Sequence, residues 1–422
     1  MTGTYPLYTS NDLDPLLDRV GNAHCVMLGE ASHGTHEYYT WRTAISKRLI
    51  MEKGFRFLAV EGDWPDCYLL NRYIKGYENQ EKELYDLLHT FRRWPMWMWA
   101  NWEIEALLGW LKTYNSQKAA NQRIGFYGLD VYSLWESLEA MNRYLKVHDP
   151  HAAAIAAKTL NCFQPYGEDA REYARSQVDM ESSCREEVIS LLTAVRRSAP
   201  VYDHDPEAAL NMEQNANIAV NAEAYYTNMV SFNNNTWNIR DQHMQETLNR
   251  LMEFHGDEAK AIVWEHNTHI GDASYTNMKD EGLFNIGQLA REEFGRHDVV
   301  LVGFGSYSGE VIAGTYWDAP MQVMNVPEAK VGSIEQIMHQ QSTQDRMIIF
   351  EDSTDELYKR TVPHRAIGVV YHPDREKYGN YVPTIAGSRY DAFIYLDETS
   401  ALHPIHLHPD LKKIPETYPF TF

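Results

Sequence analysis

A chain of 422 residues, 44% of them hydrophobic, can bury a large core, as two or three domains or as one α/β domain with an insertion. Its formal net charge of −21 disfavours nucleic acid and anionic membrane surfaces as partners, and polyphosphates unless a local basic patch intervenes. No apolar run reaches bilayer-spanning length, and the N-terminus has neither a basic head nor an apolar signal core, so a cytoplasmic, non-exported protein is expected.

In chain order, the first apolar run, HCVMLGE (24–30), reads as a buried strand. A helix is predicted over 35–53, with Trp41, Ile45 and Leu49 on one face and Gly54 as its stop. The strand FRFLAVEG (55–62) follows, then a helix over 64–75 with Pro65 early and Gly76 at its end. The stretch Arg92-Arg93-Trp94-Pro95-Met96-Trp97-Met98-Trp99 reads either as an apolar binding wall, with Arg93 at the substrate, or as a packed core corner. The strand RIGFYGLD (123–130) precedes a helix carrying Leu134, Leu138, Met141 and Leu145, with Ser133 and Glu136 in a capping-box pattern.

Strands and helices thus alternate through the first 150 residues, which argues for right-handed βαβ units. Residues 151–256 hold no strand pattern and read as a helical insertion, either a lid over a substrate site or a buttress. Strands resume with AKAIVWEHN, DVVLVGFG, RMIIFED, AIGVVYH and DAFIYLD. Runs apolar at nearly every position suit strands covered on both faces. The expected fold is therefore α/β: a mostly parallel central sheet flanked by helices in three layers. Its core is 1–150 and 257–422, with 151–256 as the inserted subdomain.

Cys25, Cys67, Cys162 and Cys184 are far apart and form no C-x-x-C pair, so isolated buried thiols are expected.

The polar residues of interest each come directly after an apolar run. Glu30 and His33 follow HCVMLG, Glu61 and Asp63 follow FLAV, Asp130 follows IGFYGL, and Glu265, His266 and His269 follow AIVW. In open parallel sheets, ligands bind outside the carboxyl ends of the strands, where such residues converge. A single histidine is explained by a satisfied core or surface position. Two histidines, each beside an acid at a strand end, point to function. Histidine suits general base chemistry near neutrality, with Glu30 or Glu61 to orient it. The same His33, His266, His269, Glu30 and Glu61 also offer a metal-ligand set, although H-x-x-H here lacks the helical H-E-x-x-H pattern.

No nucleophile signature appears. In GFGSYSGE (303–310), Tyr307 separates Ser306 from Ser308, so there is no G-x-S-x-G elbow, and Ser308 replaces the third glycine of a dinucleotide loop. Water activated directly by a base is the expected chemistry. Arg42 is a candidate anchor for a substrate oxyanion or carboxylate, or else a surface arginine or a salt-bridge partner of Glu30 or Glu61. Asp130 and Arg93 are the other candidate substrate contacts. Asp241 reads as a favourable charge at a helix N-terminus. His403, His406 and His408 read as exposed tail residues.

The segments GEASHGTHE, VEGDWPD, FYGLDVYS, NIRDQHM and WEHNTHIGD resemble the motifs of the erythromycin esterase family, over about residues 15 to 400. The resemblance implies a three-layer α/β core with a helical subdomain. It also implies hydrolysis of the macrolactone ester of erythromycin by histidine-activated water, without a bound metal or other cofactor. By position, Glu30, His33, Arg42, Glu61, His266 and His269 match the family motifs. The resemblance leaves open which histidine is the base, and the helical segment offers no residue match to macrolide-degrading members. The expectation is a carboxylic ester hydrolase acting on a small-molecule ester or lactone. A metal-dependent hydrolase using the same cluster and a non-catalytic small-molecule binder are the alternatives.

Overall fold

The computed structural model describes residues 3–77, 83–167, 169–177, 183–202, 205–229, 236–350 and 356–407. His408, and Glu351 and Asp352 at the end of one predicted strand, lie outside them.

Most of the apolar runs do form strands. These are β1 (Gly3–Pro6), β2 (Cys25–Leu28), β3 (Phe57–Asp63), β4 (Gly125–Asp130), β5 (Ala261–Trp264), β6 (Val299–Ala313), β7 (Gln322–Val326) and β8 (Arg346–Ile349). After them come β9 (Val362–Arg365), β10 (Tyr381–Thr384) and β11 (Ala392–Thr399). Nine make one sheet in the order β1-β8-β11-β6-β2-β5-β3-β4, with β7 pairing β6, while β9 and β10 pair separately. The neighbours β11, β6, β2 and β5 run parallel. β8 is antiparallel to β11 and to β1, and β7 is antiparallel to β6. The fold is thus α/β with a mixed nine-stranded sheet flanked by helices, its centre parallel and fully buried as the uninterrupted apolar runs required.

The run AIGVVYH is not a strand. It forms only the isolated bridges Ser32↔Ile367 and Gly314↔Val370. Its apolar residues serve instead to cover other elements: Ile367 and Tyr371 pack against Val311, Ala313, Met324 and Val326. β1, β7, β9 and β10 carry no strong apolar pattern, because the residues of β1 and β7 are largely exposed and those of β10 partly so.

By compactness the chain divides into two units. One is 1–59, 73–125 and 258–422, and the other is 60–72 and 126–257. In the second unit the helices Leu134–His148, Pro150–Phe163, Arg185–Ser198 and Ala208–Asn228 bury a shared apolar core that includes Leu138, Met141, Phe163, Leu191 and Met212. Cys162 and Cys184 are joined there by a disulfide, which corrects the expectation of four isolated thiols; Cys25 and Cys67 are free and buried. A separation of 22 residues carried no signal, because helix packing, not sequence spacing, brings the two together. Ser133 precedes the helix Leu134–His148 as expected, but its side chain makes no cap hydrogen bond and meets Ser137 instead. Among the described residues no helix is long and apolar enough to cross a membrane.

In the first unit, strand register fixes where the chain leaves the sheet. Leu28 of β2 lies opposite Trp264 of β5 and Val302 of β6, so the chain leaves β2 and β5 side by side. Backbone pairing continues past the strand ends, with Gly29 N–H donating to Val302 O and Asn267 N–H to Glu30 O. The loop after β2 then packs tightly on β6 through Gly34, where Ile312 N–H donates to Gly34 O. The helix His36–Lys53 comes next and ends at Gly54 in the left-handed region, φ 75°, as the sequence predicted.

A Cβ at residue 34 would sit 2.1 Å from the backbone oxygen of Ile312, which cannot yield without breaking the loop's pairing. Gly34→Ala is therefore expected to cost about 1–3 kcal/mol or more by overpacking, read as a fall in denaturation midpoint. A midpoint equal to that of wild type would show that the loop is not held as described.

Candidate active site

Glu30, His33 and Arg42 form one buried constellation beyond the end of β2. Glu30 lies two residues past the last strand residue, and His33 follows within the same tight loop. Nδ1 of His33 is 2.9 Å from Oε1 of Glu30, and Nη2 of Arg42 donates to Oε2 at 2.5 Å. Each carboxylate oxygen thus has its own partner. A buried charge requires that, since an ionised carboxylate without compensation in a dry interior is prohibitively costly.

Arg42 lies on the helix His36–Lys53, and its guanidinium carbon is 4.5 Å from the Tyr39 ring centroid and 4.7 Å from that of Trp264. These aromatic faces stabilise a cation and fix the plane of the fork. Arg42 is 0% exposed, so it reaches Glu30 and not solvent. Of the readings the sequence leaves open for it, the salt bridge to Glu30 is the one observed.

His266 stands beside His33, with ring centroids 4.9 Å apart. It caps the short helix Asn267–Ile270: its Nδ1 accepts from the Thr268 backbone N–H at 3.2 Å and lies 2.8 Å from the Thr268 hydroxyl. His269 is buried on that same short helix, its N–H donating to the His266 carbonyl. Asn267 locks the turn onto β6, its amide donating to Phe304 O at 2.6 Å while its Oδ1 accepts from Phe304 N–H. Gly29 makes room for that side chain, since a Cβ there would lie 2.1 Å from Asn267 Oδ1.

Glu61 and Asp130 belong to the second unit, where they share Arg240. Arg240 donates from Nη2 to Glu61 at 2.7 Å, and from Nη2 and Nε to the two oxygens of Asp130 at 2.6 and 2.9 Å. Burial alone would raise the Asp130 carboxyl, but the Arg240 charge and hydrogen bonds outweigh it and hold the group below its ordinary value. The same two carboxylates hold the Arg240 guanidinium well above its own, against a burial that opposes the charge. Arg240 stands inside the motif NIRDQHM, where nothing in the sequence marks it as the partner of Glu61 and Asp130. Asp241 proves to be fully buried and past the first turn of the helix Thr236–His255, so it is not the N-terminal charge expected.

Trp94, Trp97, Met98 and Trp99 are buried, so that stretch is a packed corner; Arg93 is half-buried beside it. GFGSYSGE lies within β6, which leaves no turn for an elbow or a phosphate loop. His403 and His406 are not exposed tail residues: His403 is half-buried with Nδ1 2.7 Å from Glu103, and His406 stacks on His89. Backbone pairing draws this segment in, with Trp102 N–H donating to His403 O and Ile405 N–H to Ala100 O.

Compared with known proteins, residues 50–399 match the family model described as Erythromycin esterase. Erythromycin esterase type II from Escherichia coli is 22% identical over 371 residues, covering 82% of this chain and 85% of that protein. Among solved structures, a succinoglycan biosynthesis protein aligns with a TM-score of 0.74 at 21% identity over 95% of each chain. A mutant of the erythromycin esterase EreC in its open conformation aligns with a TM-score of 0.69 at 16% identity, covering 94% of this chain and 98% of the other. At these identities the structural likeness concerns the fold.

Arg240→Ala would leave two buried carboxylates without their cation and is expected to cost about 3–5 kcal/mol in chemical denaturation. Because the Asp130 carboxyl is depressed in the folded protein, its contribution is complete above its ordinary value of 3.8 and is lost as pH falls through the lowered one. Asp130→Asn should therefore flatten the acid limb of the stability profile. An unchanged limb would show that Asp130 is not held ionised by Arg240.

Proposed function

Because this chain belongs to the erythromycin esterase family, whose membership supports a hydrolase, we propose that it hydrolyses a carboxylic ester with water activated by His33. A macrolide lactone is the first substrate to test, in keeping with the name of the Escherichia coli relative.

The observation that carries this reading is the Glu30 bridge, with His33 on one oxygen at 2.9 Å and Arg42 on the other at 2.5 Å. A ring that donates Nδ1–H to Glu30 has its basic lone pair on Nε2. Nε2 takes a proton from water as the water oxygen attacks the ester carbonyl, and Glu30 stabilises the imidazolium that forms. Arg42 acts through Glu30 as a positioning residue, not as the substrate anchor considered from the sequence.

His266 has the opposite tautomer. Its Nδ1 accepts from the Thr268 backbone N–H, which puts the ring proton on Nε2. An Nε2–H beside the base suits the oxyanion of the tetrahedral intermediate. As the intermediate collapses, the C–O bond to the alcohol breaks, and His33 returns its proton to the leaving oxygen. Water is consumed, and acid and alcohol are released.

The metal-dependent alternative at these same residues is less favoured on ligand geometry. Among the described residues, the one group of three donors within 4.8 Å of one another is His36, Glu103 and His403, not the His33 constellation.

Hydrolysis of erythromycin and of a panel of aryl esters and lactones, followed by mass spectrometry, tests the reading. His33→Ala is expected to lower kcat by about 10²–10⁴-fold, the usual worth of a positioned general base. His266→Ala should lower it by about 10²–10³-fold, as for a lost oxyanion donor. Wild-type kcat in His33→Ala would remove His33 from the chemistry. A panel with no turnover, together with a ligand that raises the melting temperature, would make the protein a binder.

A further inference from the structure

A second buried carboxylate lies apart from Glu30, and its surroundings differ. Glu103 is the second residue of the helix Trp102–Ser116 and is 2% exposed. Two histidines meet one of its oxygens: Nδ1 of His36 at 2.6 Å and Nδ1 of His403 at 2.7 Å. The two rings stand edge to face with centroids 5.1 Å apart. The other oxygen, Oε2, is buried and has no hydrogen-bond partner among the described residues. Glu335 and Glu376 leave Oε2 in the same state, so what sets Glu103 apart is that both groups on its other oxygen are imidazoles, the ligands a divalent transition metal takes.

The three side chains come from distant parts of the chain, and backbone pairing sets each in place. His36 N–H donates to Ser400 O, and Trp102 N–H donates to His403 O. The donors are therefore arrayed before anything binds, which removes most of the ordering cost of a site.

We propose that His36, Glu103 and His403 bind one divalent transition-metal ion, Zn²⁺ in the first instance, as a clasp between the two helix starts and the C-terminal segment. Two imidazoles and one carboxylate form a recognised zinc set, with water in the fourth position. His403 is the more exposed histidine and gives the ion its way in. Ligand atoms on a tetrahedral zinc stand about 3.3 Å apart, given bonds of about 2.0–2.1 Å. Binding thus opens the two hydrogen bonds by a little over half an ångström, within the reach of a carboxylate whose second oxygen has no donor holding it.

The full chain, purified without a histidine tag and stripped with chelator, should take up one equivalent of Zn²⁺ by calorimetry at neutral pH. Co²⁺ should give the visible absorption of a four-coordinate site, and Zn²⁺ should raise the melting temperature. His403→Ala, at a half-buried position, should weaken uptake beyond the about 10–100-fold that losing an outer partner costs. Glu103→Gln should do the same if it folds. The proposal is overturned by no saturable uptake in wild type, or by wild-type affinity in His403→Ala. Loss of uptake in His266→Ala with retention in His403→Ala would also overturn it, by moving the metal to the other cluster.

Discussion

The carboxylate of Glu30 is a charge that the fold has to accommodate at the buried end of β2. It does so with two partners of different kinds: a guanidinium from the next helix, and an imidazole from the loop between. The ion pair dictates more than its own contact. For Arg42 to reach Glu30, the helix His36–Lys53 must present that face to the sheet, which places Tyr39 and Trp264 against the guanidinium. The tight loop that carries His33 is set by the same approach, and Gly29 and Gly34 are required where side chains would collide with Asn267 and Ile312. An imidazole held in one orientation results from satisfying a buried charge.

The same solution recurs elsewhere. Glu61 and Asp130 share Arg240 in the second unit. Glu335 accepts from the His364 ring at 2.6 Å and from the Arg365 backbone, while the Arg365 side chain pairs with Glu376. Burial would raise the Glu335 carboxyl, but His364 and Arg365 hold it low, and burial also lowers His364; an ionised carboxylate against a neutral ring satisfies both. Glu103 differs in the kind of its partners: both groups on its Oε1 are histidine rings, whereas Glu335 and Glu376 are each also held by Arg365, although all three leave Oε2 without a hydrogen-bond partner among the described residues.

Much of the fold was legible because burial on both faces leaves a plain mark. CVML, FLAV and AIVW are apolar without alternation, and all three became buried strand segments. Gly54 and Gly76 ended their helices because the left-handed backbone there suits only a residue without a side chain. AIGVVYH shows the limit of that signal. An apolar run reports burial, not pairing, and this one is buried as a cover over β6 and β7. Exposed strands such as β1 and β7 left no trace, since their hydrogen bonds are invisible in side-chain pattern.

For the site, the sequence by itself determined which residues stand at strand ends: Glu30 and His33 after one run, His266 and His269 after another. Local order is enough for that, because a strand's end is marked where its apolar residues stop. Only the tertiary structure decided the pairings. That β5 lies beside β2 in parallel register brings His266 to His33, although the two lie in distant parts of the chain. That Arg240 serves Glu61 and Asp130, and that His403 returns to Glu103, depend on contacts between distant segments. Sequence spacing holds no information about those contacts. They arise because each buried charge must find an opposite or hydrogen-bonding partner in space, wherever along the chain that partner happens to be.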